Sequence, residues 1–136
     1  MAITTTYTDN KFAGKNTGNL PYVASVRVDA ATTAIASAEV VELFNIPKGA
    51  QVISFISNVV TVEDSTSTIL AGDGVDPNRY LNLTNMQTIG STAGIAAGMG
   101  YVYPADDTID LTFSANACDT LVADFTVVYV MNENAD

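Results

Sequence analysis

Residues 44–80 constrain the fold more than any other part of this sequence. They read FNIPKGAQVISFISNVVTVEDSTSTILAGDGVDPNRY, so two runs rich in β-branched residues are separated by acidic and small polar turns. Pro47 fixes its own φ and Gly49 can take a positive φ, which together form a corner before the first run. Such runs, bounded by turn residues, are typical of antiparallel strands. Residues 51–62 also fit helical spacing, but their β-branched content favours a long strand buried on both faces.

The same pattern recurs along the rest of the chain. Residues 20–29 alternate, with Tyr22, Ala24, Val26 and Val28 on one face, as expected of a half-buried strand. Residues 30–38 are predicted to form a loop, and residues 84–100 show no clear pattern. Further strands are predicted over residues 39–46, 66–71, 79–83, 99–103, 107–114 and 120–131. About seven to nine strands without a helix predict an all-β protein, an antiparallel β-sandwich of jelly-roll type.

The last predicted strand and the two ends of the chain define the organisation. Residues 120–131 carry apolar residues on both faces, which places this strand centrally in a sheet or at a subunit contact. Residues 1–19 are rich in Thr, Asn, Gly and Lys, and their Ile3, Tyr7 and Phe12 could pack. We expect residues 1–19 to form an N-terminal arm, either mobile or laid against a neighbour. A single β-sandwich domain over residues 20–136 follows, with a frayed polar tail.

Charge and composition exclude several partners. The 136 residues carry a net charge of −10, and the five basic residues are spread along the chain. Neutralising phosphates requires clustered Lys or Arg, so nucleic acid and anionic membranes are not expected partners. The start of the chain has neither a basic region nor an apolar run, so we expect no signal peptide and synthesis in a cytoplasm. Charged residues make up 15%, which indicates either surface that packs against a partner or a Thr/Ser/Asn-rich surface that needs none.

The residue types needed for catalysis are sparse. There is no His, the residue most often used as general base or proton shuttle. Paired carboxylates could act in a glycosidase, but fifteen acidic residues make such pairs unspecific. Cys118 is the single cysteine, and Asp119 beside it opposes formation of a reactive thiolate, so a buried or incidental role is favoured. We therefore predict no enzymatic activity, no catalytic residues and no cofactor.

Three polar motifs have a structural alternative to a binding role. The loop with Asp73 and Asp76 resembles a calcium loop but lacks the spacing of known calcium motifs. A β-turn in which Asp and Asn cap their own backbone is favoured, and cation binding there is left open. Asp106, Asp107 and Asp110 are interpreted as a solvated turn. Residues 82–84, Asn-Leu-Thr, match a glycosylation sequon, for which chance is the better explanation.

Tyrosines offer a further candidate surface. Tyr101 and Tyr103 are two residues apart on a predicted strand and would therefore share a face. A sugar-binding surface could consist of Tyr22, Tyr80, Tyr101, Tyr103 and Tyr129. Tyrosine is equally common in sheets and interfaces, so both interpretations remain open.

Two motifs in this chain are similar to those of a known class of proteins. Residues 45–52, NIPKGAQV, enter a strand, and residues 72–80, GDGVDPNRY, follow an acidic turn. In this combination the chain resembles small all-β virion proteins of tailed bacteriophages, over about a third of its length. The resemblance carries over no catalytic residues.

The resemblance implies a capsid decoration (cement) protein that stabilises the phage head. Such proteins are short, β-rich and often trimeric, and they tie capsomers together from outside the shell. The expected partners are further copies of the chain, most often as a trimer, and the major capsid protein or another virion protein. The alternative is another virion part, such as a head fibre, a tail component or a glycan-binding receptor-recognition module.

Overall fold

Eight antiparallel strands make up almost all of the regular structure in the part of the chain that the structure describes. The computed structural model describes residues 20–114 and 116–132. A short 3-10 turn, Ala96–Gly98, follows the sixth strand. The strands are β1 (Tyr22–Asp29), β2 (Val40–Ile46), β3 (Ala50–Thr61), β4 (Thr68–Gly72), β5 (Leu81–Asn85), β6 (Gly90–Ala93), β7 (Asp107–Phe113) and β8 (Val122–Met131). The all-β prediction is confirmed.

The strands form two four-stranded sheets. The first has the order β1-β8-β3-β6 and the second the order β2-β7-β4-β5. Successive strands alternate between the sheets, except that β4 and β5 pair within one sheet. The long strands β3 and β8 pair along ten residues in the middle of the first sheet. The apolar residues on both faces of β8 predicted either a central place in a sheet or a subunit contact. In the structure β8 has the central place.

The core lies between the two sheets and follows the alternation of the strands. In β8 the inward residues Ala123, Phe125 and Val127 are fully buried, while the residues between them are half-buried. The inward residues of β7, Ile109, Leu111 and Phe113, are likewise fully buried. Burying a large apolar side chain contributes about 1.5–3 kcal/mol, so these two strands supply a large share of the stabilisation.

The prediction that β3 is buried on both faces is wrong. Its inward residues are buried, but Ile53, Ile56 and Val60 are 48%, 38% and 41% exposed. The neighbouring strands cover the two edges of β3, and no element in the described ranges lies over its outer face. β-branched residues thus mark a surface here rather than a second core.

A strand over residues 99–103 is also not formed. This segment makes one isolated bridge, between Gln51 and Val102, although Tyr103 N–H donates to Ala50 O at 3.0 Å. Gly100 has φ +87, which is outside the range of a strand and interrupts the ladder of hydrogen bonds.

The predicted N-terminal arm, residues 1–19, lies outside the described residues. No helix in the described part of the chain is long and apolar enough to cross a bilayer.

Candidate interaction surfaces

The outer face of the first sheet is a broad surface of small polar and β-branched residues. The strand register aligns them in rows: Ser25, Thr126, Ile56 and Ala93 lie side by side across all four strands. The adjacent row contains Arg27 and Asp124, the charged residues of this face. We call this surface the neutral face, and it consists of Val23, Ser25, Arg27, Ser54, Ile56, Asn58, Ser91, Ala93, Asp124, Thr126 and Val128.

Several polar groups of the neutral face are paired within it. Arg27 donates from Nε and Nη2 to the two carboxylate oxygens of Asp124, at 2.7 and 2.9 Å. This hydrogen-bonded pair raises the pKa of Arg27 and lowers that of Asp124. Ser25 and Thr126 share a hydrogen bond of 3.0 Å. Because these groups already have protein partners, covering the face would desolvate few unpaired polar groups.

The outer face of the second sheet has the opposite electrostatic character. Glu42 on β2 lies beside Asp110 on β7, and Asp107 begins the same strand. Burial first, and then the carboxylates of Glu42 and Asp107, raise the pKa of Asp110. One carboxylate oxygen of Asp110 is buried without a hydrogen-bond partner among the described residues. We call this surface the acidic face.

An open groove separates the edge strands β1 and β2, which belong to different sheets. Its volume is about 540 Å³, and it is lined by Val26, Asp29, Ile35, Val41, Glu42 and Leu43, among others. Val26, Val41 and Leu43 pack against the core yet stay only partly buried. The corresponding inward residues of the central strands are fully buried. The sandwich is therefore open along this side, and we call the opening the edge groove.

The loop between β4 and β5 is held by a buried ion pair. Asp73 is 3% exposed, and its carboxylate accepts hydrogen bonds from Arg79 Nε at 2.6 Å and from Tyr103 Oη at 3.1 Å. The same carboxylate accepts from the backbone N–H groups of Val75 and Asp76. Burial opposes ionisation, but the hydrogen bonds from Arg79 and the Asp76 backbone outweigh it and lower the pKa of Asp73. Asp73 is thus part of a structural network that leaves it few free lone pairs.

The tyrosines do not form one surface. Tyr80 and Tyr103 are buried, their hydroxyls lie 2.7 Å apart, and burial raises the pKa of Tyr80 to about 12. Tyr101 packs edge-on against Tyr103 and lies under the Arg79 guanidinium, 3.5 Å from the ring centre. Tyr22 and Tyr129 stack on each other elsewhere, on β1 and β8. The five tyrosines therefore do not share one surface, because Tyr80 and Tyr103 are buried and anchor the Asp73 loop from inside.

A second buried carboxylate anchors the chain before β8. Glu63 is 1% exposed, and its Oε2 accepts hydrogen bonds from the backbone N–H groups of Asp119, Thr120 and Leu121 at 3.0 to 3.1 Å. Burial opposes ionisation, but these hydrogen bonds, Thr120 first, outweigh it and lower the pKa of Glu63 to about 2. No local pattern in the sequence marks Glu63, since its hydrogen-bond partners lie more than fifty residues away.

Oxygens of Glu63, Asp64 and Asp119 lie within 4.8 Å of one another. Glu63 Oε2 already accepts hydrogen bonds from three backbone N–H groups, and these account for the position of the Glu63 carboxylate without an ion.

Among the other motifs considered from the sequence, Cys118 is buried, and burial raises the pKa of its thiol. Asp106 is exposed and accepts a hydrogen bond from the Lys48 N–H at 2.8 Å, but Asp107 and Asp110 are half-buried on β7, so these three residues do not form one solvated turn.

Chains of three phage capsid structures are similar in fold to this protein. A chain of the cyanophage Pam1 capsid asymmetric unit has a TM-score of 0.67 and 19% identity, over 93% of this chain and 96% of that chain. A chain of the Ralstonia phage GP4 capsid has a TM-score of 0.67 and 14% identity, over 91% of each chain.

A third similar chain belongs to the acidic stable capsid structure of Helicobacter pylori bacteriophage KHP30. Its TM-score is 0.63 at 18% identity, over 81% of this chain and 86% of that chain. No family model and no curated protein matches the sequence. At these identities the likeness shows a shared fold, and it extends over most of each chain.

Proposed function

We propose that this protein is a structural component of a bacteriophage virion, specifically a capsid decoration protein that stabilises the head. The observation that carries the proposal is the neutral face. It is a broad sheet surface whose Arg27 and Asp124 already pair with each other. The likeness in fold to chains of three phage capsid structures supports the same role.

Covering a protein surface costs free energy when unpaired charged groups lose their contact with water. Interfaces form where little unpaired charge must be desolvated, and their cores are depleted in charged residues. The neutral face meets this condition, whereas the acidic face, with Glu42 and Asp110, does not. Many weak contacts of this kind, repeated by the symmetry of a shell, produce strong overall attachment without a high affinity for any single site.

We also propose how the protein is oriented on the particle and in which oligomeric state it acts. The acidic face would point to solvent, where a chain of net charge −10 is kept from sticking to released nucleic acid. The chain would act as a homotrimer bound to the major capsid protein, in the virion and without catalysis. The strand order β1-β8-β3-β6 and β2-β7-β4-β5 supports the jelly-roll form of the sandwich.

Reconstitution on capsids would test this role with two matched substitutions. Val23 lies on the neutral face and is 65% exposed, whereas Val75 lies in the Asp73 loop and is 82% exposed. Full-length Val23→Lys and Val75→Lys would be mixed with expanded capsids, lacking this protein, of the phage that encodes it. Occupancy would be measured by co-sedimentation, and native mass spectrometry would give the oligomeric state.

We expect Val23→Lys to reduce occupancy severalfold and Val75→Lys to leave it unchanged, with both proteins folded by circular dichroism. Full occupancy by Val23→Lys would refute the role of the neutral face. Failure of the unsubstituted protein to bind capsids, together with its detection in purified tails or fibres, would favour the alternative virion parts. Selective binding on a glycan array would favour a receptor-recognition module.

A further inference from the structure

We infer that the edge groove is the binding site for residues 1–19 of a second copy of this chain. This inference rests on the proposed assembly function and names the contact between copies. The occupant is an extended segment that adds to the open side of the sandwich. Three observations carry it: the open apolar floor, the distribution of charge along the chain, and the position at which the arm leaves the body.

The floor of the groove is apolar and its sides are strand edges. The side chains of Val26, Val41 and Leu43 contact the core on one side and remain partly exposed on the side that faces the groove. Within the described residues, β1 pairs only with β8 and β2 only with β7, so each strand presents one unpaired edge. An unpaired edge is a template for an added strand, which supplies backbone hydrogen bonds while alternate side chains fill the floor. A volume of about 540 Å³ suits a few side chains.

The charges of the groove and the arm are complementary. Residues 1–19 contain two Lys and one Asp, whereas residues 20–132 contain three basic and twelve acidic side chains. Asp29, Glu39 and Glu42 line the groove, and no Lys or Arg of the described residues forms an ion pair with them. Asp29 and Glu39 accept hydrogen bonds from residues of their own loop, which leaves their negative charge in place. Arg27, also in the lining, is already paired with Asp124. Lys11 and Lys15 give the arm a positive charge that complements the acidic rim.

The arm also contains a segment with the composition of an added strand. Residues 3–8, ITTTYT, consist of β-branched and aromatic residues, which favour extended structure. Alternation would place Ile3, Thr5 and Tyr7 on one side, toward Val26, Val41 and Leu43. The two lysines follow a few residues later, within reach of the rim.

The place where the arm leaves the body favours a second copy over the same chain. The groove is lined by the final residues of β1, Val26 to Asp29, whereas the arm joins β1 at Tyr22. Eight residues of strand span about 25 Å. To return along its own β1, the arm would need a tight reversal just before Tyr22. Pro21 biases Leu20 toward an extended conformation, which directs the chain away from the body where it leaves β1.

Disulfide cross-linking between differently substituted copies would test the contact. Thr8→Cys places a thiol on the arm, and Thr33→Cys places one in the groove lining, where Thr33 is exposed. Val75→Cys is the matched control, exposed but distant in the fold from the groove. Full-length chains carrying one substitution each would be mixed under mild oxidation, with the buried Cys118 left in place.

We expect a mixed disulfide between Thr8→Cys and Thr33→Cys chains, at least severalfold above the Thr8→Cys and Val75→Cys mixture. Equal yields in the two mixtures would overturn the inference. An intrachain disulfide in the Thr8→Cys/Thr33→Cys double variant, with no mixed species between single variants, would also overturn it and assign the groove to the chain's own arm.

Charge reversal supplies a second, independent measurement. Glu42→Lys should reduce the cross-linking yield about threefold to tenfold, and Lys11→Glu with Lys15→Glu in the partner chain should restore it. Asp64→Lys makes the same charge change outside the groove and should have little effect. These measurements need no capsid. Cross-linking without capsid attachment would contradict the proposed function alone, and attachment without cross-linking would contradict this inference alone.

Discussion

Replacing Glu63 by Gln would measure how much one buried carboxylate stabilises the sandwich. The substitution keeps the shape and an acceptor oxygen but removes the charge that receives three backbone N–H groups ahead of β8. A carboxyl whose pKa falls from 4.5 to about 2 on folding stabilises the ionised protein by about 3 kcal/mol. Glu63→Gln should lower the free energy of unfolding at pH 7 by about this amount.

The pH dependence distinguishes charge from packing. Because folding lowers the pKa of Glu63, its contribution is complete above the unfolded value of 4.5 and is lost as pH falls through about 2. Glu63→Gln does not titrate, so its difference from the unsubstituted protein should shrink from about 3 kcal/mol at pH 7 to about half of that at pH 3.

Urea unfolding followed by circular dichroism at pH 7, 5 and 3 would provide these free energies. With a typical urea slope, a loss of about 3 kcal/mol moves the midpoint by roughly 1 to 3 M. Glu42→Gln is the matched control: Glu42 is exposed, and we expect a change within about 0.5 kcal/mol. A difference for Glu63→Gln that stays constant between pH 7 and pH 3 would refute the electrostatic argument and assign the effect to packing.

Three further outcomes follow from the same structure. Gly72→Ala should destabilise the protein by about 2 kcal/mol, because its Cβ would meet the backbone of Asp76 and Pro77. Gly74→Ala, with open space around it, should change the free energy of unfolding by less than about 0.5 kcal/mol; equal losses for the two would contradict this. A chelator should leave the melting temperature unchanged, since Arg79 already neutralises Asp73, and a drop of about 5 °C or more would instead indicate a bound cation. Removing residues 1–19 should leave the fold intact by circular dichroism and weaken attachment to capsids, whereas undiminished occupancy would count against a role of the arm in assembly.

Local sequence patterns were sufficient to predict much of the fold. Alternation predicted strands over β1, β7 and β8, and it placed Ala24, Val26 and Val28 of β1 on the side that faces the core, because a strand with one buried face has a period of two. Pro47 and Gly49 marked the corner between β2 and β3, where Gly49 has φ +87. The same reasoning misjudged residues 51–62, since β-branched residues are equally suited to a second core and to an exposed sheet face.

The sequence by itself determined that this chain forms antiparallel strands around one apolar core and lacks the histidines and clustered cations of many enzymes and nucleic-acid-binding proteins. Only the tertiary structure decided which residues meet across long separations. It buried Tyr80 and Tyr103 beneath Asp73, bound Glu63 to the backbone ahead of β8, and aligned the neutral face across β1, β8, β3 and β6. The physical reason is that alternation encodes which side of a strand is apolar, whereas the order and register of strands depend on packing between residues far apart in the chain.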